Sequence, residues 1–323
     1  MRLPQLSALW FLLLAAPRTG QCLNLTAELQ AFVSTLERYA KEKNDIVFVL
    51  DESGSIGAEN FPAELTFTEM TARLLVVSRE FSRLTVITYS SDNLKHIDQV
   101  ADGGTMCSFV HQVNQIGYRT GGTRTKQALE YAGRLLQNAR SDANRIIVLI
   151  SDGQANSGSE PNDIAAELKS QGIVIFAVGV ASINRAELEA VASSPNHIYM
   201  LINFPYIKQV NSDLRKDIKE SQWDHAASDQ CAEKCDTNAA CACGAQSGTY
   251  RCVCKAGYQG DGTVGKCQRC PRGTYKESTG SHNCLSCMSS STTKNEGSTS
   301  SNQCSCLPGY EGNPGSQIPC SRK

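Results

Sequence analysis

The stretch Asp45-Ile46-Val47-Phe48-Val49-Leu50-Asp51-Glu52-Ser53-Gly54-Ser55 decides how this chain folds. An unbroken apolar run ends on a carboxylate, and hydroxyls follow at alternate positions. Continuous Val, Ile and Phe are the mark of a strand buried on both faces. Alternate residues of an extended turn point the same way, so Asp51, Ser53 and Ser55 can converge just past the strand.

Working outward, the same pattern recurs. Arg145-Ile146-Ile147-Val148-Leu149-Ile150 ends at Ser151-Asp152-Gly153, and Gly172-Ile173-Val174-Ile175-Phe176-Ala177-Val178-Gly179-Val180 is another strong run. Residues 83–89, 95–100 and 197–201 read as further strands, the last two weaker or shorter. Helical stretches lie between them at 61–81, 107–116, 125–138, 163–171, 184–192 and 205–221. This alternation predicts an α/β fold, a doubly wound and mostly parallel sheet with helices on both faces. Ligands of such sheets bind at the carboxyl ends of the strands, near a topological switch point. The two strongest strands carry Asp51 and Asp152 at those ends.

Residues 23–43 precede this unit. Leu25, Leu29, Phe32, Val33, Leu36 and Ala40 recur at helical spacing, which predicts an amphipathic lead-in helix packed on the first domain. At the start of the chain, Arg2 and the run Leu9-Trp10-Phe11-Leu12-Leu13-Leu14-Ala15-Ala16 read as a signal peptide over residues 1–22. The apolar run is too short for a membrane span, which takes ~20 residues. No later segment is long and apolar enough to cross a bilayer, so a secreted protein is expected. Asn24-Leu25-Thr26 is the one N-glycosylation sequon. The 323 residues carry 31 Lys and Arg against 32 Asp and Glu, so the balance gives no reason to expect nucleic acid as partner.

Fifteen cysteines are present, thirteen of them between Cys231 and Cys320. Such density indicates a disulfide scaffold made in an oxidising compartment. The apolar runs stop after Trp223, which puts a domain boundary near residues 221–228. Cys107 stands apart. It can be buried and free, paired with Cys22, or paired with an odd cysteine of the tail.

Asp51, Ser53, Ser55, Thr123 and Asp152 make a candidate metal site. Thr123 sits in the loop Thr120-Gly121-Gly122-Thr123. All five are hard oxygen donors, which suits Mg²⁺, Mn²⁺ or Ca²⁺ and disfavours zinc or copper. Water or an outside ligand has to complete the shell, and an acidic side chain of a partner would serve. The alternative for these residues is that Asp51 and Asp152 cap the helices that follow, with Ser53 and Ser55 as turn residues.

Asp-x-Ser-x-Ser after an apolar strand, a Gly-Gly-Thr loop and an Ile-Ser-Asp-Gly strand end together resemble the metal-ion-dependent adhesion site of von Willebrand factor A domains. The resemblance covers residues 44–222. It implies a doubly wound sheet with the metal at its top, and all five ligand positions are present. Some members of that family keep the motif and bind through another face.

Two tail modules follow. The spacing of Cys231, Cys235, Cys241, Cys243, Cys252, Cys254 and Cys267, with Gly257-Tyr258-Gln259-Gly260 after Cys254, resembles an EGF-like module over residues 229–267. That resemblance implies Cys254–Cys267 and Cys235–Cys252, with Cys231 bonded to Cys241 or Cys243. One cysteine is surplus to the six-cysteine form, and the acidic set of calcium-binding EGF modules is incomplete. Residues 268–320, with Cys270, Cys284, Cys287, Cys304, Cys306 and Cys320, resemble an ephrin-receptor-like cysteine-rich repeat. This order of modules resembles the amino-terminal part of a large extracellular mosaic protein, of which the chain would be a fragment or a short relative.

No zinc-protease helix, nucleophile elbow or phosphate loop is found, and the five histidines are scattered. Glu52 is the one spare acid beside the ligands, and it is expected to lie exposed in its turn. The sequence therefore points to a non-enzymatic binding protein that meets an extracellular protein partner through the cation. The alternative is a structural module of an extracellular or biomineral matrix with no metal-dependent partner.

Overall fold

The computed structural model describes residues 27–102, 104–153, 155–156, 158–180, 183, 185–201, 203–217, 231, 234–244 and 246–323. The expected leader (1–22), Asn24 and the 218–230 connection lie outside the described residues.

Strand β1 (Asn44–Asp51) is buried along its whole length, as its apolar run requires. It pairs in parallel with β2 (Ser82–Tyr89) on one side and β4 (Asn144–Ser151) on the other. The sheet runs β3 (Asn93–Asp98), β2, β1, β4, β5 (Val174–Val180), β6 (Ile198–Leu201), and only β3 is antiparallel. The order reverses between β1 and β4. Chain alternation then sorts β1 between two cores: Ile46, Phe48 and Leu50 face one cluster, Val47 and Val49 the other.

On the first face lie α1 (Ala27–Tyr39), α2 (Phe61–Ala72), α4 (Met106–Val113) and α8 (Phe204–Asp217). The second face is covered by α5 (Thr125–Leu135) and α6 (Asn162–Ser170). The one-turn α3 (Gln99–Asp102) joins β3 to α4, and α7 (Arg185–Val191) packs Leu188 with Ala177 of β5. Helix α1 is part of the domain. Its Leu29, Phe32 and Leu36 are buried, and the Phe32 ring lies 5.2 Å from Tyr199 and 6.0 Å from Phe176.

One helix is shorter than its pattern suggests. The 61–81 stretch is helical only to Ala72. Beyond it Leu75 and Val77 stay buried, but the chain must turn into β2. Val76 donates its N–H to Ala40 O, and Ser82 donates back to Val76 O. Tertiary pairing therefore outweighs the continued apolar spacing.

Seven disulfides hold the tail. Strands β7 (Ala239–Gly244) and β8 (Thr249–Cys254) form a hairpin. Around it are Cys231–Cys241, Cys235–Cys252 and Cys254–Cys267. Then come Cys270–Cys284, Cys287–Cys304 and Cys306–Cys320. The surplus cysteine is Cys243, and it bonds Cys107 at the start of α4. Successive modules share a seam: Cys270 N–H donates to Gly257 O, and the fully buried Lys276 ammonium donates to Cys254 O (3.1 Å) and Gly280 O (2.6 Å).

Candidate metal centre

Strand β1 ends at Asp51 and the neighbouring β4 at Ser151, so the sheet itself brings Asp51 and Asp152 side by side at the switch point. Asp51 is fully buried. Its Oδ1 accepts from Ser53 N–H (2.9 Å), closing the turn, and its Oδ2 accepts from Ser151 Oγ (2.7 Å) and Tyr89 OH (3.2 Å). Asp152 Oδ1 accepts from Ser55 Oγ at 2.8 Å, and the Ser53 and Ser55 hydroxyls lie 3.1 Å apart. With its proton given to Asp152, Ser55 accepts from Ser53. Four of the five expected residues thus form one connected oxygen cluster, with Ser55 at its solvent side.

Thr123 enters from a loop stitched to both neighbours. Gly54 N–H donates to Gly121 O (3.0 Å), while Thr123 O accepts from Asn156 N–H (2.9 Å) and Thr123 N–H donates to the side-chain Oδ1 of Asn156, just beyond Asp152. Gly121 is required by close approach. A Cβ there would sit 2.8 Å from the Ser90 side chain and 2.9 Å from Ser91 N. Thr120 beside it takes φ 76°, a strained value for a residue with a Cβ. Tyr118 OH ties the same loop to Ser53 O at 2.9 Å.

Burial pushes the Asp51 carboxyl up to about 6, against the bonds from Ser53 and Ser151 that lower it, with Asp152 adding a smaller upward push. Burial likewise raises Asp152, against the Ser55 bond. Two desolvated carboxylates whose fields oppose each other are stabilised by a cation. Donors of carboxylate and hydroxyl type fit a hard divalent ion, and Asp152 Oδ2 is not engaged by the Ser55 bond. The residues therefore fit the group. Asp51, Ser53, Ser55, Thr123 and Asp152 would hold it, and it would supply positive charge at the sheet's carboxyl edge.

Glu52 corrects the expectation of an exposed acid. It is fully buried, and Arg119 Nε donates to its Oε1 at 3.0 Å. The reason is register: Glu52 N–H still pairs with Tyr89 O, so the side chain turns inward under the Arg119 loop. Glu64 of α2 was not singled out by sequence. It is fully buried, neither carboxylate oxygen has a hydrogen-bond partner, and burial with the charges of Asp51 and Asp152 holds it well above the usual carboxylate range. Its signal was an acid three residues from Phe61 and four from Thr68, on the buried stripe of a helix. Ser151 and Tyr89 were legible only as strand residues.

The sequence matches the von Willebrand factor type A domain family over residues 45–213, more than half of its length, and the chain belongs to that family. Residues 257–304 match the family described as tyrosine-protein kinase ephrin type A/B receptor-like. Among curated relatives, the mouse "Sushi, von Willebrand factor type A, EGF and pentraxin domain-containing protein 1" is 33% identical over 286 residues, covering 83% of this chain and 8% of that protein. The transmembrane cell adhesion receptor mua-3 of Caenorhabditis elegans is 29% identical over 238 residues, covering 68% of this chain and 6% of the receptor. Mouse collagen alpha-5(VI) chain is 30% identical over 183 residues, 53% of this chain and 7% of the collagen. The chain therefore spans less than a tenth of the length of these relatives. A solved structure of proximal thread matrix protein 1 from the mussel byssus, with a zinc-occupied MIDAS motif, superposes with TM-score 0.49 at 23% identity, covering 55% of this chain and 46% of that one.

Proposed function

We propose that this chain is an extracellular, non-enzymatic binding protein that holds a divalent cation at Asp51, Ser53, Ser55, Thr123 and Asp152 and uses it to engage an acidic residue of a protein partner. The observation that carries this reading is the convergence of an all-oxygen donor set at the carboxyl ends of adjacent strands. The Ser55–Asp152 bond of 2.8 Å joins two motifs 97 residues apart in sequence. Export is supported by seven disulfides, which persist in oxidising compartments. Curated relatives named as an adhesion receptor and as collagen chains agree with a matrix or cell-surface setting. No helix among the described residues is long and apolar enough to cross a membrane.

Calorimetric titration of Mg²⁺, Mn²⁺ and Ca²⁺ into the metal-stripped chain tests the first half. One site should appear, and Asp152→Ala should abolish it. For the second half, an acidic peptide immobilised on a sensor serves as probe. Capture that is lost with EDTA and with Asp152→Ala supports the reading; capture that survives both overturns it.

A further inference from the structure

Helix α5 starts at the metal centre and carries two arginines that the fold itself does not pair. Arg124 follows Thr123 directly, and Arg124, Gln127, Tyr131 and Arg134 recur at helical spacing, which makes one stripe along the helix. The stripe forms one wall of a cleft of about 450 Å³, and Ser91, Asp92 and Asn93, where β2 passes into β3, form the other. The walls are tied together. Arg124 N–H donates to Ser90 O (3.2 Å), Gly122 N–H to Ser91 Oγ (2.9 Å), and Asn93 Nδ2 to Gln127 O (3.4 Å). Both arginines are exposed, and neither forms an ion pair among the described residues. The acid on the opposite wall, Asp92, reaches Arg119 instead, at 3.2 Å. The Arg134 guanidinium lies over the Tyr131 ring, 5.4 Å from its centroid. Helix stability does not account for Arg124, because a helix start disfavours a cation and the first turn holds no acid. On the residues that line the cleft, Asn93 Oδ1 and Gln127 Oε1 are buried without a hydrogen-bond donor.

We infer that this cleft is a second subsite for the partner, which receives an acidic side chain a few residues away from the one on the cation. The subsite depends on the metal centre being a site for a partner's acid, as proposed above. From Arg124 to Arg134 the helix advances about 15 Å, at ~1.5 Å per residue. An extended peptide advances ~3.3 Å per residue, so a segment anchored at the metal brings an acid to Arg134 about five residues on. The occupant is an acidic segment of the protein partner. Its carboxylate answers the two unpaired guanidinium groups, its backbone N–H groups suit a wall with acceptors to spare, and the Tyr131 ring offers a surface to the side chains between. The arginines therefore select among partners that each offer one acid to the cation. Because both are exposed, that selection weakens as salt rises.

The test uses the whole chain saturated with Mn²⁺ and fluorescent Gly-Ser peptides, with binding read by polarisation. One peptide carries a single Asp, and two others add a Glu about five residues before or after it. The better two-acid peptide should bind about two- to fivefold tighter than the one-acid peptide. High salt should erase the difference, and so should Arg124→Ala/Arg134→Ala. Arg134→Glu should reverse it, so that a peptide with Lys in place of the Glu binds tighter than the two-acid one. Equal binding of one-acid and two-acid peptides to wild type, or an advantage that survives Arg124→Ala/Arg134→Ala, overturns the subsite and leaves the metal reading standing. A sulfated oligosaccharide that binds the stripe in EDTA while the peptides stay equal would make the cleft a glycan site and overturn it too. Failure of every peptide to bind, or one-acid binding that persists in EDTA, overturns the metal reading and the subsite with it.

Discussion

Cys107 and Cys243, 136 residues apart, are joined by a disulfide that fastens helix α4 of the A domain to the β7–β8 hairpin of the tail. The contact extends beyond the sulfurs, because a Cβ added at Gly248, in the hairpin turn, would lie 2.9 Å from His111 Cβ, one turn along α4. Helix α4 precedes the Tyr118–Thr123 loop of the candidate metal centre, so the tail is anchored to the element that leads into that loop.

Loss of this bond should free the tail without unfolding the sheet. A non-reduced digest of the native chain should yield a peptide pair linked through Cys107 and Cys243. In the chain-entropy view a loop of this length contributes on the order of 5 kcal/mol at most. Cys107→Ala/Cys243→Ala should therefore lower the melting temperature and widen the small-angle scattering envelope. An unchanged envelope would show that noncovalent contacts alone hold the hairpin on α4.

The Glu52–Arg119 pair makes a second prediction. Glu52 is fully buried, whereas Arg119 is 38% exposed and also reaches Asp92 at 3.2 Å. Arg119→Ala removes the partner and strands a buried charge, at a cost of roughly 3 kcal/mol in urea unfolding. Arg119→Ala/Glu52→Gln should recover most of that loss. If the double variant is as unstable as the single one, packing of the guanidinium rather than its charge is what matters.

Asp51 predicts a pH dependence of the metal-free protein. Its carboxyl titrates at about 6 in the folded chain and near ~3.9 when unfolded. The folded state binds this proton more tightly, so Asp51 favours folding below about pH 4. That contribution fades as pH rises to about 6, a change of roughly 3 kcal/mol. Relative to wild type, Asp51→Asn should therefore gain stability between pH 4 and pH 7 in EDTA. Adding Mg²⁺ at pH 7 should restore wild type and leave Asp51→Asn unmoved. Parallel stability curves for the two proteins would contradict this.

The lead-in helix supplies a fourth. Phe32 stacks against both Phe67 (6.1 Å) and Tyr199 (5.2 Å), which also contact each other (6.3 Å). Phe32→Ala should destabilise the domain by about 3–5 kcal/mol, measured by denaturant titration. A loss well under 1 kcal/mol would mean that α1 is an appendage.

How much of this was legible in the chain depends on the range of the force involved. The run from Ile46 to Leu50 declared a doubly buried strand because burial on both faces leaves no place for a polar residue. Asp51, Ser53 and Ser55 were legible because a turn of five residues sets their geometry locally. Glu52 was misjudged because its fate depends on Arg119, 67 residues away. Helix α2 was read too long because apolar spacing continues through Leu75 and Val77, and only pairing with β2 reveals the turn.

By itself the sequence determined the strand and helix periods, the doubly wound class, the oxygen-donor chemistry and the oxidised tail, all of which follow from residue type at short spacing. Tertiary structure alone decided that Ser55 bonds Asp152, that Cys107 takes Cys243 rather than remaining free, and that Glu52 is buried under Arg119. The physical reason is the same in each case. These are pairings between distant segments, and their partners are set by how the sheet orders its strands and how the helices close over it, which no local pattern encodes.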